Sequence, residues 1–366
     1  MSRHAGCCLP GQLNTADRIA GLHLLPAWCP LPEVIGYYLH DLSPFLIRFS
    51  DSMGIRWYGL AYVAGFLAGF LLLKNFCRRG YCELHHSQVG DFITMAALLG
   101  VLLGGRFGYM LFYNFDAFIR NPAIFFHFLQ GGMASHGGIL GLVAFTYIFA
   151  RKKGISWRGI GDNLCTVAPL GLFFGRIANF INGELYGRKT DLPWAVQFPE
   201  EIREGNFLSP EGLTHADLER ELAPLNIAAS RSADNNDTGI IEAVGDNDAV
   251  KEILRDYLNA RHPSQIYQAL LEGLALFIIL YILRCKFPKL RQGILTGVFF
   301  IGYAVFRIIG EQFREAADGY VGIFTRGQFL SLFMVAVGLL FILSAFIWPH
   351  RQRLQSATRP GKATDP

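Results

Sequence analysis

Cysteine is scarce in this sequence and carries no pattern. Seven occur among 366 residues (Cys7, Cys8, Cys29, Cys77, Cys82, Cys165, Cys285), an odd and scattered set with no CxxC. That excludes a disulfide framework and a zinc site of the usual spacing. Charge is thin as well, 17% of residues against 52% hydrophobic and 14% aromatic, a balance that excludes a disordered chain or a coiled coil. No repeat of about 20 to 50 residues is visible, which argues against a transporter built from inverted halves. Residues 1–33 hold Pro10, Pro26, Pro30 and Pro32 and no unbroken apolar core, so they read as an irregular extension instead of a cleaved signal peptide. No nucleotide loop and no carboxylate/His cluster with ligand spacing occurs, so neither a metal nor an organic cofactor is implied.

Apolar sequence is what abounds. The mean hydropathy is +0.30, and stretches long enough to cross a bilayer run over 55–73, 92–113, 133–150, 160–181, 266–283, 294–311 and 328–348. The expected fold is all-α, a polytopic membrane protein with seven transmembrane helices. Basic residues cluster after the first span (Lys74, Arg78, Arg79), the third (Arg151, Lys152, Lys153, Arg158), the fifth (Arg284, Lys286, Lys289, Arg291) and the last (Arg351, Arg353). The positive-inside rule then puts the amino terminus outside and the carboxyl terminus in the cytoplasm. Between spans four and five, residues 200–260 carry 14 acidic and 5 basic residues. They read as a small external head domain, with much of 226–250 as loop. The resulting division is 1–50 extension and arm, 51–183 spans one to four, 184–264 head, 265–349 spans five to seven and 350–366 tail.

A charged side chain at mid-membrane costs about 2.5 to 3.5 kcal/mol on insertion scales, so each needs a partner or a function. Spans two, four and six hold Arg106, Arg176 and Arg307. The densest cluster ends span four. Arg176 and Asn179 share a helix face, and Asn182-Gly183 is a break that lets Glu184 turn back toward them. An internal ion pair capping the helix end is one reading. An anionic ligand is the other, because two amides and a carboxylate around one guanidinium exceed what a packing pair needs. In span six, Tyr303, Arg307 and Glu311 recur at i, i+4 and i+8 with Arg314 beyond, forming one polar stripe. Its plain reading is a Glu311–Arg307 bridge within the helix. Facing Arg176, it becomes a fork of two guanidiniums suited to a phosphate.

His136 stands between glycines in Gly131–Gly138, either a satisfied core residue or an exposed base able to take a proton near neutrality. Glu272 reads as structural, pairing with a neighbouring helix. Tyr58 belongs to an interfacial aromatic belt. Gly65-x3-Gly69, Gly100-x3-Gly104 and Gly171-x3-Gly175 read as close helix contacts.

The motifs WYGL at 57–60, GGRFGYMLFYN at 104–114, GGMASHGGILG at 131–141, GRIANFINGELYGR at 175–188, RHPSQIYQALLEG at 261–273, GYAVFRIIGEQFRE at 302–315 and RGQFLSL at 326–332 together resemble the bacterial prolipoprotein diacylglyceryl transferase family. The resemblance implies seven spans with a small periplasmic head domain in the bacterial inner membrane. It implies that diacylglycerol moves from phosphatidylglycerol to the thiol of the lipobox cysteine of a preprolipoprotein. The partners would be phosphatidylglycerol and signal peptides bearing a lipobox, with no nucleic acid. The family's important residues fall on Tyr58, His136, Arg176, Asn179, Glu184, Gly187, Tyr303 and Arg307. On this reading Arg176 and Arg307 hold the phosphodiester, Asn179 and Glu184 orient Arg176 and the glycerol head, and Tyr58, Asn182 and Glu311 also bind substrate. Gly187 leaves room, and His136 deprotonates the thiol, with Tyr303 or Tyr58 as alternative relays. A lipid or anion transporter using the same arginines is the rival from another class.

Overall fold

The computed structural model describes residues 36–49, 53–127, 132–204, 207–225, 238–315, 320–321 and 324–348. The expected extension over 1–33 and the tail over 350–366 lie outside them. The described residues are mostly helical. Among them, six helices are long and apolar enough to cross a membrane: α1 (Trp57–Arg78), a rod His86–Phe112, α6 (Trp157–Ile181), a rod Ser264–Lys286, α12 (Ile294–Glu311) and Gly327–Ile347 within α13 (Arg326–Ile347). The expected span 133–150 is a helix too, α5 (Ser135–Lys153). It stands outside the set of six because it opens on Ser135-His136 and closes on Arg151, Lys152 and Lys153, which dilute its apolar run.

Both rods contain a π-helical turn. The first joins α2 (Val89–Met95) to α3 (Leu103–Phe112) through Ala96–Leu102, and the second joins α10 (Ser264–Gln268) to α11 (Leu276–Lys286) through Ala269–Ala275. Among the described residues between the first rod and α5 are a short helix, α4 (Phe115–Arg120), and a 3₁₀ turn over Pro122–Phe126. Consecutive spans run antiparallel, so their ends meet at two levels.

At one level Glu83 accepts from the Ser156 amide at 2.5 Å and the Gln292 amide at 2.6 Å, while Asp162 takes Gly293 N and Thr296 N at 2.8 Å each. Asp162, only 2% exposed, thereby caps the start of α12 from another helix. The residues Arg78, Arg79, Arg151, Lys152, Lys153, Arg158, Arg284, Lys286 and Arg291 all lie at this basic end. So does a Cys77–Cys82 disulfide closing the turn after α1. The sequence-based exclusion of disulfides is corrected to that extent. A five-residue spacing around Arg78–Tyr81 suffices to bring two thiols together once the helix ends there, and Cys165 and Cys285 are free.

At the opposite end sits the head. A three-stranded sheet orders β1 (Tyr38–Leu39), β4 (Val196–Gln197) and β5 (Ala260–Arg261). Helices α7 (His215–Leu222), α8 (Thr238–Asp246) and α9 (Asp248–Tyr257) close a core of Leu39, Ile202, Leu218, Leu222, Ile240, Val244, Val250 and Leu254. The loop expected over 226–250 is therefore wrong from 238 onward, and residues 226–237 lie outside those described. Ile240, Val244, Val250 and Leu254 recur at helical spacing and bury one face, and Asn247 caps α9 through Ala249 N at 3.0 Å. A hairpin of β2 (Phe45–Arg48) and β3 (Gly54–Arg56) leads into α1, and β6 (Tyr320–Val321) pairs with β7 (Phe324–Thr325) ahead of α13. The all-α expectation thus stands for the spans, with small sheets added in the connections.

Glycine stripes bring the helices to backbone contact. A Cβ on Gly104 would lie 2.7 Å from Gly137 O and 2.8 Å from Gly141 Cα, and one on Gly65 would lie 3.3 Å from Gly171 Cα. Gly175, by contrast, has open space where its Cβ would be.

Candidate active site

Two arginines converge at the head end. Arg176, near the end of α6, places Nη2 3.4 Å from Oε2 of Glu272. Arg307 on α12 places Nη1 3.5 Å from Oε1 of the same carboxylate. Glu272 sits in the π-helical turn of a third helix and is fully buried, whereas the arginine side chains keep 17% and 13% of their surface. The carboxylate thus spans the two guanidiniums, one oxygen to each. Arg307 also bridges Glu311 at 3.1 Å one turn along, and Thr325 Oγ1 donates to Glu311 at 3.4 Å. Tyr303, one turn before Arg307, faces Arg176, Glu272 and Arg307.

The expected fork exists, but each guanidinium already has a carboxylate. Glu272, read from sequence as a helix-pairing group, is the centre of the cluster. An unexplained acid inside an apolar run was its one signal.

The Asn179–Glu184 contact forms as the sequence suggests. α6 ends at Ile181, Gly183 adopts φ +70°, and the chain folds back so that Asn179 Nδ2 donates to Glu184 Oε1 at 2.6 Å. Only glycine takes that φ without strain, and a Cβ there would also lie 3.3 Å from the His40 ring. Leu185 follows at φ +59°, a left-handed conformation unusual for a leucine. It is held by Ser264 Oγ donating to Leu185 O at 3.0 Å and Gln265 Nε2 donating to Glu184 O at 2.7 Å, both from fully buried side chains. Asn182 caps α6, and its Oδ1 is buried without a hydrogen-bond partner.

Gly187 lies in a tight backbone crossing. A Cβ there would meet Phe313 O at 2.3 Å and both Cβ and O of His262 at 2.8 Å. It lets the chain pass between the start of the Ser264–Lys286 rod and the end of α12, pairing Gly187 N with His262 O at 2.9 Å and Arg188 N with Phe313 O at 3.0 Å. The crossing is pinned from the head by Arg261, 2% exposed, which bridges Glu201 at 2.6 Å, reaches Glu315, and donates to Gly187 O at 3.3 Å. Arg261 is an anchor of the crossing that sequence reading passed over.

His136 is in the first turn of α5, exposed, and has no hydrogen bond or ion pair among the described residues. It does not join the arginine cluster directly. Its position is nonetheless fixed. Arg106, 3% exposed, donates to the carbonyls of Ile124, Phe125, His127 and Gly132, and Ala134 N donates to Gly105 O at 2.9 Å. Gly137 then packs on the backbone of Gly104 and Gly108. Tyr58 packs against Tyr62 with tilted rings, centroids 5.3 Å apart, and Tyr62 interacts electrostatically with Glu184, so the start of α1 reaches the site's rim.

Two head groups near the α6 turn have shifted protonation. His40 Nε2 donates to Phe180 O at 2.7 Å, and burial holds the imidazole below its usual range against the opposing pull of that carbonyl and of Asp41. Burial raises Glu200, Arg203 opposes the rise, and Glu184 adds to it.

A family model for prolipoprotein diacylglyceryl transferase matches residues 44–344, a range that includes Tyr58, His136, Arg176, Glu184, Glu272 and Arg307. The chain belongs to the prolipoprotein diacylglyceryl transferase family. Curated relatives called phosphatidylglycerol–prolipoprotein diacylglyceryl transferase include one from Bdellovibrio bacteriovorus, 38% identical over 87% of this chain and 96% of its own length. Others come from Allorhizobium ampelinum (37%, over 78% of this chain and 84% of the relative) and Idiomarina loihiensis (35%, over 83% and 93%). For a diacylglyceryl transferase family member, a polar cluster at one end of apolar helices is where a lipid head group and a reacting group can meet. The transporter alternative is not favoured.

Proposed function

We propose that this protein transfers the diacylglyceryl group of phosphatidylglycerol to the thiol of a lipobox cysteine in a preprolipoprotein. The observation that carries the reading is the meeting of Arg176 and Arg307, from separate helices, on one carboxylate at the head end. A phosphodiester presents two non-bridging oxygens with a spread similar to that of a carboxylate, and arginine recognises both bidentately. In the reaction a C–S bond forms as the C–O bond to phosphate breaks, and the electron pair leaves with glycerol phosphate. Arg176 and Arg307 stabilise that growing charge, a role worth several kcal/mol in a low-dielectric site.

A free thiol, with a pKa of about 8.5, is mostly protonated at neutrality and needs a base. His136, exposed and without a competing partner, takes the proton. Tyr303 and Tyr58 line the route as alternative relays. Asn179 and Glu184 orient Arg176 and receive the glycerol head, Asn182 and Glu311 complete the substrate-binding set, and Gly187 holds the crossing that places the loop.

The same proposal assigns α5 as a seventh span, the head to the periplasm with the amino terminus, and the basic end and carboxyl terminus to the cytoplasm of an inner membrane, where anionic lipids attract cations. The division into 1–50, 51–183, 184–264, 265–349 and 350–366 follows.

The test is a gel shift of a lipobox peptide by purified protein in phosphatidylglycerol liposomes. Arg176→Ala and Arg307→Ala should each lose about 100-fold or more. His136→Gln should recover activity as pH rises toward the thiol's own pKa. Wild-type protein that leaves the peptide unmodified sinks the reading, and His136→Gln active at neutral pH removes the base.

A further inference from the structure

The arginine pair poses a charge problem. Arg176, Arg307, Glu272 and Glu311 are in mutual contact and sum to zero, so an arriving phosphate meets a cluster whose positive charge is already spent. One carboxylate must yield. Glu311 reaches one of the two arginines, 3.1 Å from Arg307 with Thr325 Oγ1 at 3.4 Å, and its Oε2 too is buried without a hydrogen-bond partner; Glu272 alone stands between both guanidiniums.

Glu272 is held loosely. Its two contacts, at 3.4 and 3.5 Å, exceed the about 2.7 to 2.9 Å of a strong charge-assisted bond. Its Oε1 and the Nη1 of Arg307 are both buried with no hydrogen-bond partner, as are both amide atoms of Gln268 one turn away. Gln268 and Glu272 share a gap beside Gly310, whose Cβ would lie 3.3 Å from Gln268 Cγ and 3.7 Å from Glu272 Oε1. Buried polar atoms left unpaired are costly, and several in one spot mark a group that is not in its best-bonded state. Independently, Glu272 rides on the π-helical turn Ala269–Ala275. Such insertions are frequent at functional sites and rotate the side chains that follow them.

We infer that Glu272 is a built-in counter-anion, a positioning residue that spans Arg176 and Arg307 as a phosphate would and is displaced from them when the phosphate of the lipid or of the departing product binds. This rests on the reading that the two arginines take a phosphate. Its consequence is kinetic. A carboxylate ready to return to the guanidiniums weakens the hold on glycerol phosphate, whose charge is higher than that of the diester, and so speeds its release.

The experiment measures binding of sn-glycerol 1-phosphate by calorimetry, alongside KM for phosphatidylglycerol and kcat, in wild type, Glu272→Gln and Glu272→Asp. Glu272→Gln keeps the shape and removes the charge. It should bind glycerol phosphate at least about tenfold more tightly, because a like charge at contact distance is gone, with KM and kcat both lowered as product release slows. Glu272→Asp withdraws the carboxylate by about 1.5 Å and should shift binding in the same direction by less, which keeps the test open if the glutamine variant does not fold. A merely structural Glu272 gives the opposite sign: guanidiniums that drift apart, weaker glycerol phosphate binding and a raised KM. Unchanged or weaker binding in the variants overturns the inference. Failure of wild type to bind glycerol phosphate at all overturns the two-arginine phosphate reading instead.

Discussion

Replacing Gly187 by alanine tests whether this residue serves the backbone or the substrate. The added methyl would be 2.3 Å from Phe313 O and 2.8 Å from His262 O. Both neighbours are backbone atoms at the ends of membrane-spanning rods, so neither can rotate away as a side chain would. Overpacking of this kind costs about 1 to 3 kcal/mol. The crossing also carries the Gly187 N–His262 O and Arg188 N–Phe313 O bonds, at 2.9 and 3.0 Å, each worth about 1 kcal/mol net. Together the loss is on the order of 3 to 5 kcal/mol, or roughly 10 °C in Tm at about 2 to 4 °C per kcal/mol.

The assay is thermal unfolding in detergent, with peptide modification measured in parallel. Gly187→Ala should lower Tm by that amount and lose activity with it, because the loop bearing Glu184 and Leu185 is displaced. An unchanged Tm would refute the crossing argument. If activity alone were lost, the methyl would be blocking a ligand and the role expected from sequence would stand.

Leu185 gives a sharper local test, since its φ of +59° is held by Ser264 and Gln265. Leu185→Val should cost about 1 to 2 kcal/mol, because β-branched residues tolerate the left-handed region poorly, whereas Leu185→Gly should hold or raise Tm; equal effects of the two would show the strain is absent. For His40, burial lowers the folded-state pKa beneath the usual 6.5, so between those values the unfolded chain binds more protons. Stability from this group is complete above pH 6.5 and is lost as pH falls through that value toward the folded pKa. Melting temperature should therefore drop on acidification from pH 7.5 to about 5.5, and His40→Gln should flatten the slope; an equally steep profile in the variant would assign the loss to another group.

The sequence by itself determined that the chain crosses a membrane and where its polar groups had to be excused. Arginines and acids in apolar runs are costly enough to stand out one by one. Periodicity then put Arg176 with Asn179, and Tyr303 with Arg307 and Glu311, on common faces. The turn at Asn182-Gly183 was legible because glycine is the cheap way to reverse after a helix, and it does bring Glu184 back to Asn179. Helical spacing was equally present at Ile240, Val244, Val250 and Leu254, but polar neighbours hid it and the segment read as loop.

What only the tertiary structure decided is which helices meet. Spacing rules act within one helix, whereas Glu272 finds Arg176 and Arg307 on two others. The acid expected to pair with one neighbour instead divides its oxygens between two. At Gly187 likewise, only the structure sets the carbonyls of His262 and Phe313, distant in sequence, on either side of it. Cys77 and Cys82 became a pair only because α1 ends between them. In each case the deciding contact joins segments whose relative placement depends on how whole helices pack, a sum of many weak contacts that no local pattern records.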